Sequence, residues 1–336
     1  MSKTYKLGIL GCGDFLRWQA MSLPKCERVT VHKLFDPDRS RAEHYAAQLG
    51  GSVAESEEEV FGDSDVDVVC LFVPPFLRKA MTKKAVEAGK HILATKPLAP
   101  NADEAREILD MVGDTVRCGV LYRRTGEAMV KTARELFDSG ELGKLALYRQ
   151  DWLHHYPEWN NWALDPEKNG GPFMDAMIHN LNIARYLMDG DATQVCFFAD
   201  NLAHPDLKCT DTDLMKVDFA TGGAAYLFIT WAADLAVYST EGNNREHIDL
   251  FYMITDQGWR ITEETRDGQA CLVASRRGEE KLFPVTGYDT PVYDRFASTL
   301  QTGGALPPDL ASLSEACEDI RLLALGTATP GRTVGV

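Results

Sequence analysis

Residues 5–16 read Tyr5-Lys6-Leu7-Gly8-Ile9-Leu10-Gly11-Cys12-Gly13-Asp14-Phe15-Leu16, and a helix-like segment continues to Ala20. An apolar run that breaks into Gly-x-Gly and then a helix is the pattern of a buried strand, a tight turn and a helix start. Such a junction suits an anion, because free backbone N–H groups and the positive end of the helix dipole face the turn. Gly11 permits the turn, and Gly13 lets a diphosphate approach the backbone. Cys12, Asp14, Phe15 and Leu16 complete the stretch expected to line a dinucleotide. Leu16 stands where the fingerprint has its third glycine, and Gly-x-Gly alone also closes ordinary strand–helix turns. The context adds weight. A second strand, Val29 to Phe35, ends in Asp36, twenty residues after Leu16, where a ribose-binding carboxylate is expected. Asp36 beside Pro37 also suits a plain turn, but glycine turn, helix, strand and acid come in the order that ribose binding requires.

A chain of 336 residues can bury a good core and form two domains. Hydrophobic content of 45% and charged content of 25% are those of a globular protein. The formal charge is −15 and no Lys/Arg cluster of the size that would track a phosphate backbone is present, so nucleic acid is not an expected partner. The acidic surface also repels a dinucleotide, which leaves binding to local backbone donors. No apolar run approaches membrane-spanning length, and Met1-Ser2-Lys3-Thr4 leads directly into a strand rather than a signal peptide. Eight scattered cysteines without a Cys-x-x-Cys pair imply reduced, buried thiols and a cytoplasmic location. Cys12 reads as a small residue packed in the turn rather than a reactive thiol.

The first 121 residues alternate strand and helix. Ser40–Leu49 is helical, Val66–Val73 is a strand buried on both faces, Phe76–Ala88 is helical and His91–Thr95 is a strand. Asn101 with Glu104 makes a capping box, and Val116–Leu121 is a further strand. Repeated βαβ implies a parallel sheet, with ligands at the carboxyl ends of its strands. Gly11, Asp36, Val73, Pro74, Thr95, Lys96 and Tyr122 fall at or just past those ends. The second half differs. A helix over Glu127–Ser139 and a strand over Lys144–His154 lead to an aromatic loop with Tyr156, Trp159 and Trp162. Gly170-Gly171-Pro172 opens a helix to about Met188. Strands then dominate from Val195 to Ser275, one of them beginning at His247, and imply a large, mainly antiparallel sheet. Tyr293–Thr302 and Ser312–Thr327 are helical. The fold class is α/β: a dinucleotide-binding domain over 1–122 and an α+β domain over 123–336.

Lys96 exits a buried strand before Pro97, where an ammonium can orient a hydroxyl or stabilise an alkoxide. A solvated surface lysine is the plainer alternative. Asp175 and His179 are spaced i, i+4 on one helix face, with an imidazole suited to take a hydroxyl proton. That spacing equally fits a first-turn acid with an incidental histidine. Trp152, His154, His155, Trp159 and Trp162 suit a sugar ring or an apolar interface, and only one of His154 and His155 can face a pocket from a strand. A metal held by the histidines and Asp175 is the less favoured alternative.

These segments together resemble the Gfo/Idh/MocA oxidoreductases. The resemblance covers nearly the whole chain. It rests on Leu7–Gly13, on Ala88–Ala99 with its Thr95-Lys96-Pro97, on Gly140–Lys144, and on Gly170–His179. It implies a Rossmann domain joined to an α+β domain whose open sheet forms the interface of a homo-oligomer, a dimer or tetramer. It also implies catalytic positions at Lys96, Asp175 and His179. Candidate substrate contacts are Tyr122, His155, Trp162 and Asn182. Four positions depart from the usual pattern: Thr95 replaces glutamate, Asn182 stands where many members have aspartate, Arg78 replaces a histidine, and Leu16 replaces a small residue. The expected activity is hydride transfer between a nicotinamide and a sugar, polyol or related hydroxy compound. The alternatives are a glycoside hydrolase that uses NAD transiently and a non-catalytic dinucleotide-binding regulator. Asp36 argues for NAD over NADP, because a carboxylate repels a 2′-phosphate. Arg39, expected among the cofactor contacts, either reaches back over the adenine or pairs with Asp38.

Overall fold

The computed structural model describes residues 3–158, 161–233 and 248–336. Trp159 and His247 lie outside them. The chain forms two compact units, each built from two segments: 1–126 with 288–317, and 127–287 with 318–336. A single division at residue 122 misses this exchange, because the contacts that return residues 288–317 to the first unit are remote in sequence.

The first unit runs β1 (Tyr5–Leu10), α1 (Asp14–Gln19), β2 (Val29–Phe35), α2 (Arg39–Leu49), β3 (Ser52–Val53), α3 (Glu57–Gly62), β4 (Val68–Leu71), α4 (Pro75–Glu87), β5 (His91–Thr95), α5 (Ala102–Val112) and β6 (Cys118–Leu121). Its sheet is parallel, in the order β3-β2-β1-β4-β5-β6. The order reverses between β1 and β4, which makes their carboxyl ends the switch point of a doubly wound fold. All four residues of β4 are buried, as expected of a strand covered on both faces. The Asn101 side chain accepts the Glu104 N–H at 2.8 Å, closing the expected cap.

The second unit contributes α6 (Ala128–Ser139), β7 (Leu145–Leu153), α7 (Ile178–Met188), β8 (Ala192–Asp200), β9 (Thr212–Phe219), β10 (Ala224–Thr230), β11 (Ile248–Thr255), β12 (Arg260–Arg266), β13 (Gln269–Arg276) and β14 (Glu279–Pro284). The chain ends with α8 (Val292–Thr302), α9 (Leu313–Ala328) and β15 (Thr333–Gly335). The nine-stranded sheet is ordered β14-β13-β12-β11-β7-β10-β9-β8-β15. It is antiparallel except for the β7–β10 pair. Among the described residues no helix is long and apolar enough to cross a membrane.

The returning segment completes the first unit. Tyr293, Phe296 and Leu310 join a core with Leu7, Ile9, Leu16 and Leu34. Asp294 accepts the backbone N–H groups of Glu27 and Arg28, both at 2.8 Å. Val120 bridges to Ala311 beside β6. Arg124 donates to the Asp309 carbonyl at 3.1 Å and pairs with Glu315 at 2.7 Å.

Candidate functional site

The first unit brings the predicted dinucleotide residues together along one sheet edge. Gly11 sits at φ +95°, and a Cβ there would lie 2.4 Å from the Phe72 carbonyl oxygen, so only glycine fits. Gly13 has open space where its side chain would be, leaving the turn bare for a diphosphate. Asp36, just past β2, accepts the Cys12 N–H at 2.7 Å and the Asp38 N–H at 2.9 Å, one on each carboxylate oxygen. Each oxygen keeps a second lone pair for a ribose hydroxyl. A bare glycine turn beside an anchored carboxylate fits a dinucleotide whose adenosine lies over β2 and whose diphosphate lies over β1.

Leu16 is wholly buried, so the third fingerprint position packs in the core rather than clearing a path for the ligand. Cys12 is also buried, and burial pushes its thiol up to about 12, which suits packing rather than reactivity. Asp14 is exposed and Phe15 half-buried, with the Phe15 ring 4.8 Å from Phe72. Arg39 is committed elsewhere: it pairs with Glu43 at 2.8 Å and Glu55 at 2.6 Å. Asp38 instead caps α2 and pairs with Arg41 at 3.3 Å. Of the two roles open to Arg39, the pair with Asp38 is taken by Arg41 instead, because Arg39 opens the helix and meets Glu43 one turn on.

Further along the edge, Val73, Pro74, Thr95 and Lys96 follow β4 and β5. Arg78, on α4, ties them: it donates to the Val73 carbonyl at 2.7 Å, to Thr95 Oγ1, and to the Lys96 carbonyl at 3.4 Å. The Lys96–Pro97 bond is cis. Tyr122 is buried just past β6.

In the second unit, the helix expected after Gly170-Gly171-Pro172 opens with a π-helical turn over Phe173–Met177 and continues as α7. Such turns recur at functional sites. Asp175 and His179 are both half-buried. Asp175 Oδ1 accepts from Asn169 at 3.3 Å, and the Asp175 N–H donates to the Gly171 carbonyl at 2.9 Å. The Phe173 N–H donates at 3.1 Å to Asp213, a buried residue on β9 that Thr210 Oγ1 also contacts at 2.8 Å. Burial raises the Asp213 carboxyl to about 7.

Of the adjacent histidines, His154 is buried and His155 half-buried. The His155 ring lies 4.3 Å from Tyr156 and 5.5 Å from His204, and its Nε2 lies 3.2 Å from Glu158. Trp162 is half-buried in the following turn. Asn182 is corrected by the structure. It has no exposed surface and donates to Asp319 at 2.7 Å, so it belongs to the interior rather than to a substrate surface. Asp213 and His204 escaped sequence reasoning, since nothing local distinguishes an acid at a strand start or a histidine in a loop. The metal grouping considered from sequence, the histidines with Asp175, is not one the geometry assembles among the described residues. Ligand atoms converge instead at His32, Asp63 and Asp65, where Lys33 already lies 2.9 Å from Asp63.

Residues 5–121 match a family described as "Oxidoreductase family, NAD-binding Rossmann fold", and residues 130–245 match the GFO/IDH/MocA C-terminal domain. The chain belongs to the Gfo/Idh/MocA oxidoreductase family. Its first unit is the NAD-binding Rossmann domain of that family. Among Gfo/Idh/MocA relatives and other similar chains, an uncharacterized oxidoreductase of Streptococcus pneumoniae serotype 4 is 29% identical over 68% of this chain and 62% of its own length. The scyllo-inositol 2-dehydrogenase (NAD(+)) of Bacillus subtilis is 28% identical over 67% of this chain and 66% of its own. The matched stretch thus spans a little under two thirds of these two proteins. The aldose-aldose oxidoreductase of Caulobacter crescentus, solved with glycerol, has the same fold at TM-score 0.82 and 19% identity, covering 99% of this chain and all of that one.

Proposed function

We propose that the protein is an NAD-dependent dehydrogenase or reductase acting on a sugar, polyol or related hydroxy compound. The observation that carries this reading is the glycine turn whose Cys12 N–H is held by Asp36 at 2.7 Å, with Gly13 open above it. In the oxidative direction the substrate C–H bond breaks and its electron pair leaves with the hydrogen for nicotinamide C4. His179 takes the hydroxyl proton, Lys96 steadies the oxygen as charge develops, and Asp175 positions substrate and imidazole. His155 and Trp162 offer ring faces to a sugar. The scyllo-inositol activity of the Bacillus subtilis relative supports the substrate class.

The same reading carries a cytoplasmic homo-oligomer, a dimer or tetramer, formed through the second unit's sheet. Phe198, Leu214, Phe228, Asp151 and Leu250 follow one another across β8, β9, β10, β7 and β11 and so share a face. Phe198 and Leu250 are 48% and 50% exposed, and these exposed apolar positions on a face otherwise interrupted by Asp151 suit a second copy.

Purified protein offered NAD and a panel of inositols, aldoses, anhydrosugars and sugar acids should produce NADH with at least one of them. Cofactor binding without turnover across the panel would overturn the catalytic reading.

A further inference from the structure

Arg78 carries a full charge in a place built for none. It is 2% exposed, and its Nε and Nη1 are buried without a hydrogen-bond partner. Among the described residues it forms no ion pair, and the titratable group that bears on it is the Tyr122 phenol. Burial pulls the guanidinium down to about 9, still well above neutrality, so the side chain remains a cation at pH 7. Burying a cation without a counter-ion is costly, and an apolar residue would pack the same space.

The position of this charge gives it a consequence. Its three acceptors, on Val73, Thr95 and Lys96, lie at the carboxyl ends of β4 and β5. The sheet order is β2-β1-β4-β5 through this region. Asp36 would take the adenosine ribose at the end of β2, and the bare turn would take the diphosphate at the end of β1. A dinucleotide held in this order would bring its nicotinamide riboside toward the carboxyl ends of β4 and β5, the strand ends that Arg78 ties. The two departures from the usual motif, Arg78 and Thr95, touch each other here, and where a carboxylate is usual the pair leaves a net positive charge.

We propose that Arg78 makes the cofactor crevice favour the reduced nicotinamide, so that NADH is held more tightly than NAD+. The inference rests on the proposed use of NAD. The oxidised ring carries one positive charge, and the reduced ring is neutral after accepting a hydride. A fixed cation in a poorly hydrated site opposes the first form and leaves the second alone. On the protein, this biases hydride transfer toward oxidation of the substrate, in which the substrate loses C–H hydride and hydroxyl proton while the ring loses its charge. It also makes NADH the slower product to leave.

The test is the ratio of two dissociation constants, measured on the whole protein by NAD+ and NADH titration with fluorescence or calorimetric detection. The wild type should hold NADH roughly tenfold more tightly than NAD+. Arg78→Met deletes the cation. Thr95→Glu keeps Arg78 and supplies a counter-ion beside it. Both should bring the ratio toward one by opposite chemistry, so if one variant fails to fold the other decides. An unchanged ratio in the variant, even with both cofactors weakened, overturns the proposal, as does a wild type that prefers NAD+. A wild type that binds neither form overturns the NAD reading itself, a distinguishable failure that takes this inference with it.

Discussion

Phe173 donates its backbone N–H to Asp213 at 3.1 Å, so the turn that introduces Asp175 and His179 hangs from a buried carboxyl group. That group is raised to about 7, first by burial, with Asp211 and Asp200 adding to the effect against the hydrogen bonds from Thr210 and Phe173. In the unfolded chain it titrates near the usual carboxylate value. Between those two values the folded state holds a proton that the unfolded state has lost. Stability therefore falls as pH rises through the window and is fully reduced above about 7. Asp213→Asn keeps an acceptor for Phe173 and cannot ionise. Its advantage over wild type in thermal melts should widen by about 2 kcal/mol from pH 5 to pH 8. A gap independent of pH would show that the carboxyl is not the titrating group.

Gly11 and Gly13 should fail differently when given a methyl group. Gly11→Ala meets the Phe72 carbonyl and a positive φ, so it should lower the melting temperature strongly, by more than about 2 kcal/mol of stability. Gly13→Ala meets nothing within 4 Å, so its melting temperature should stay near wild type while NAD affinity falls at least tenfold. Gly13→Ala with unchanged NAD affinity would remove the diphosphate from the turn.

Asp36→Ala removes a ribose acceptor, a repulsive charge and the anchor of the Cys12 N–H together. NAD should bind more weakly by about 1–3 kcal/mol, the scale of a lost charged hydrogen bond. The preference over NADP should narrow, because only the NADP complex gains from loss of the carboxylate. Parallel titrations of the two cofactors decide it, and equal wild-type affinities would refute the NAD preference.

His179→Ala and Lys96→Ala should each lower turnover by roughly 10²–10⁴-fold on a substrate found in the panel. NAD affinity should change little in His179→Ala. Wild-type turnover in both would dismiss these residues from the chemistry.

What the sequence revealed follows from how local the signals are. The bounds of β2 and β5, Val29–Phe35 and His91–Thr95, are legible because Asp36-Pro37 stops the first and Gly89 and Pro97 bracket the second. The capping box at Asn101 and Glu104 is likewise a four-residue feature. β14, Glu279–Pro284, opens with Glu-Glu-Lys at a sheet edge and has too little buried surface to announce itself. Arg78 and Thr95 were each visible as departures, but their contact spans seventeen residues and exists only once α4 folds over β5. Asn182 was misplaced for the same reason. Its partner Asp319 is 137 residues away, and opposite a buried acid an amide donor serves where a second carboxylate would repel.

The return of residues 288–317 to the first unit has a consequence for how the molecule is made. Translation delivers all six strands of the Rossmann sheet within the first 121 residues, yet Tyr293, Phe296 and Leu310, which seal its core, emerge only after most of the second unit. A chain ending before residue 288 would lack these partners of Leu7 and Leu34 and the carboxylate that accepts the Glu27 and Arg28 N–H groups. The last closure, by Asp294 on those N–H groups, joins residues 267 and 266 positions apart, so competence to bind a dinucleotide should appear late and nearly at once, rather than growing with chain length.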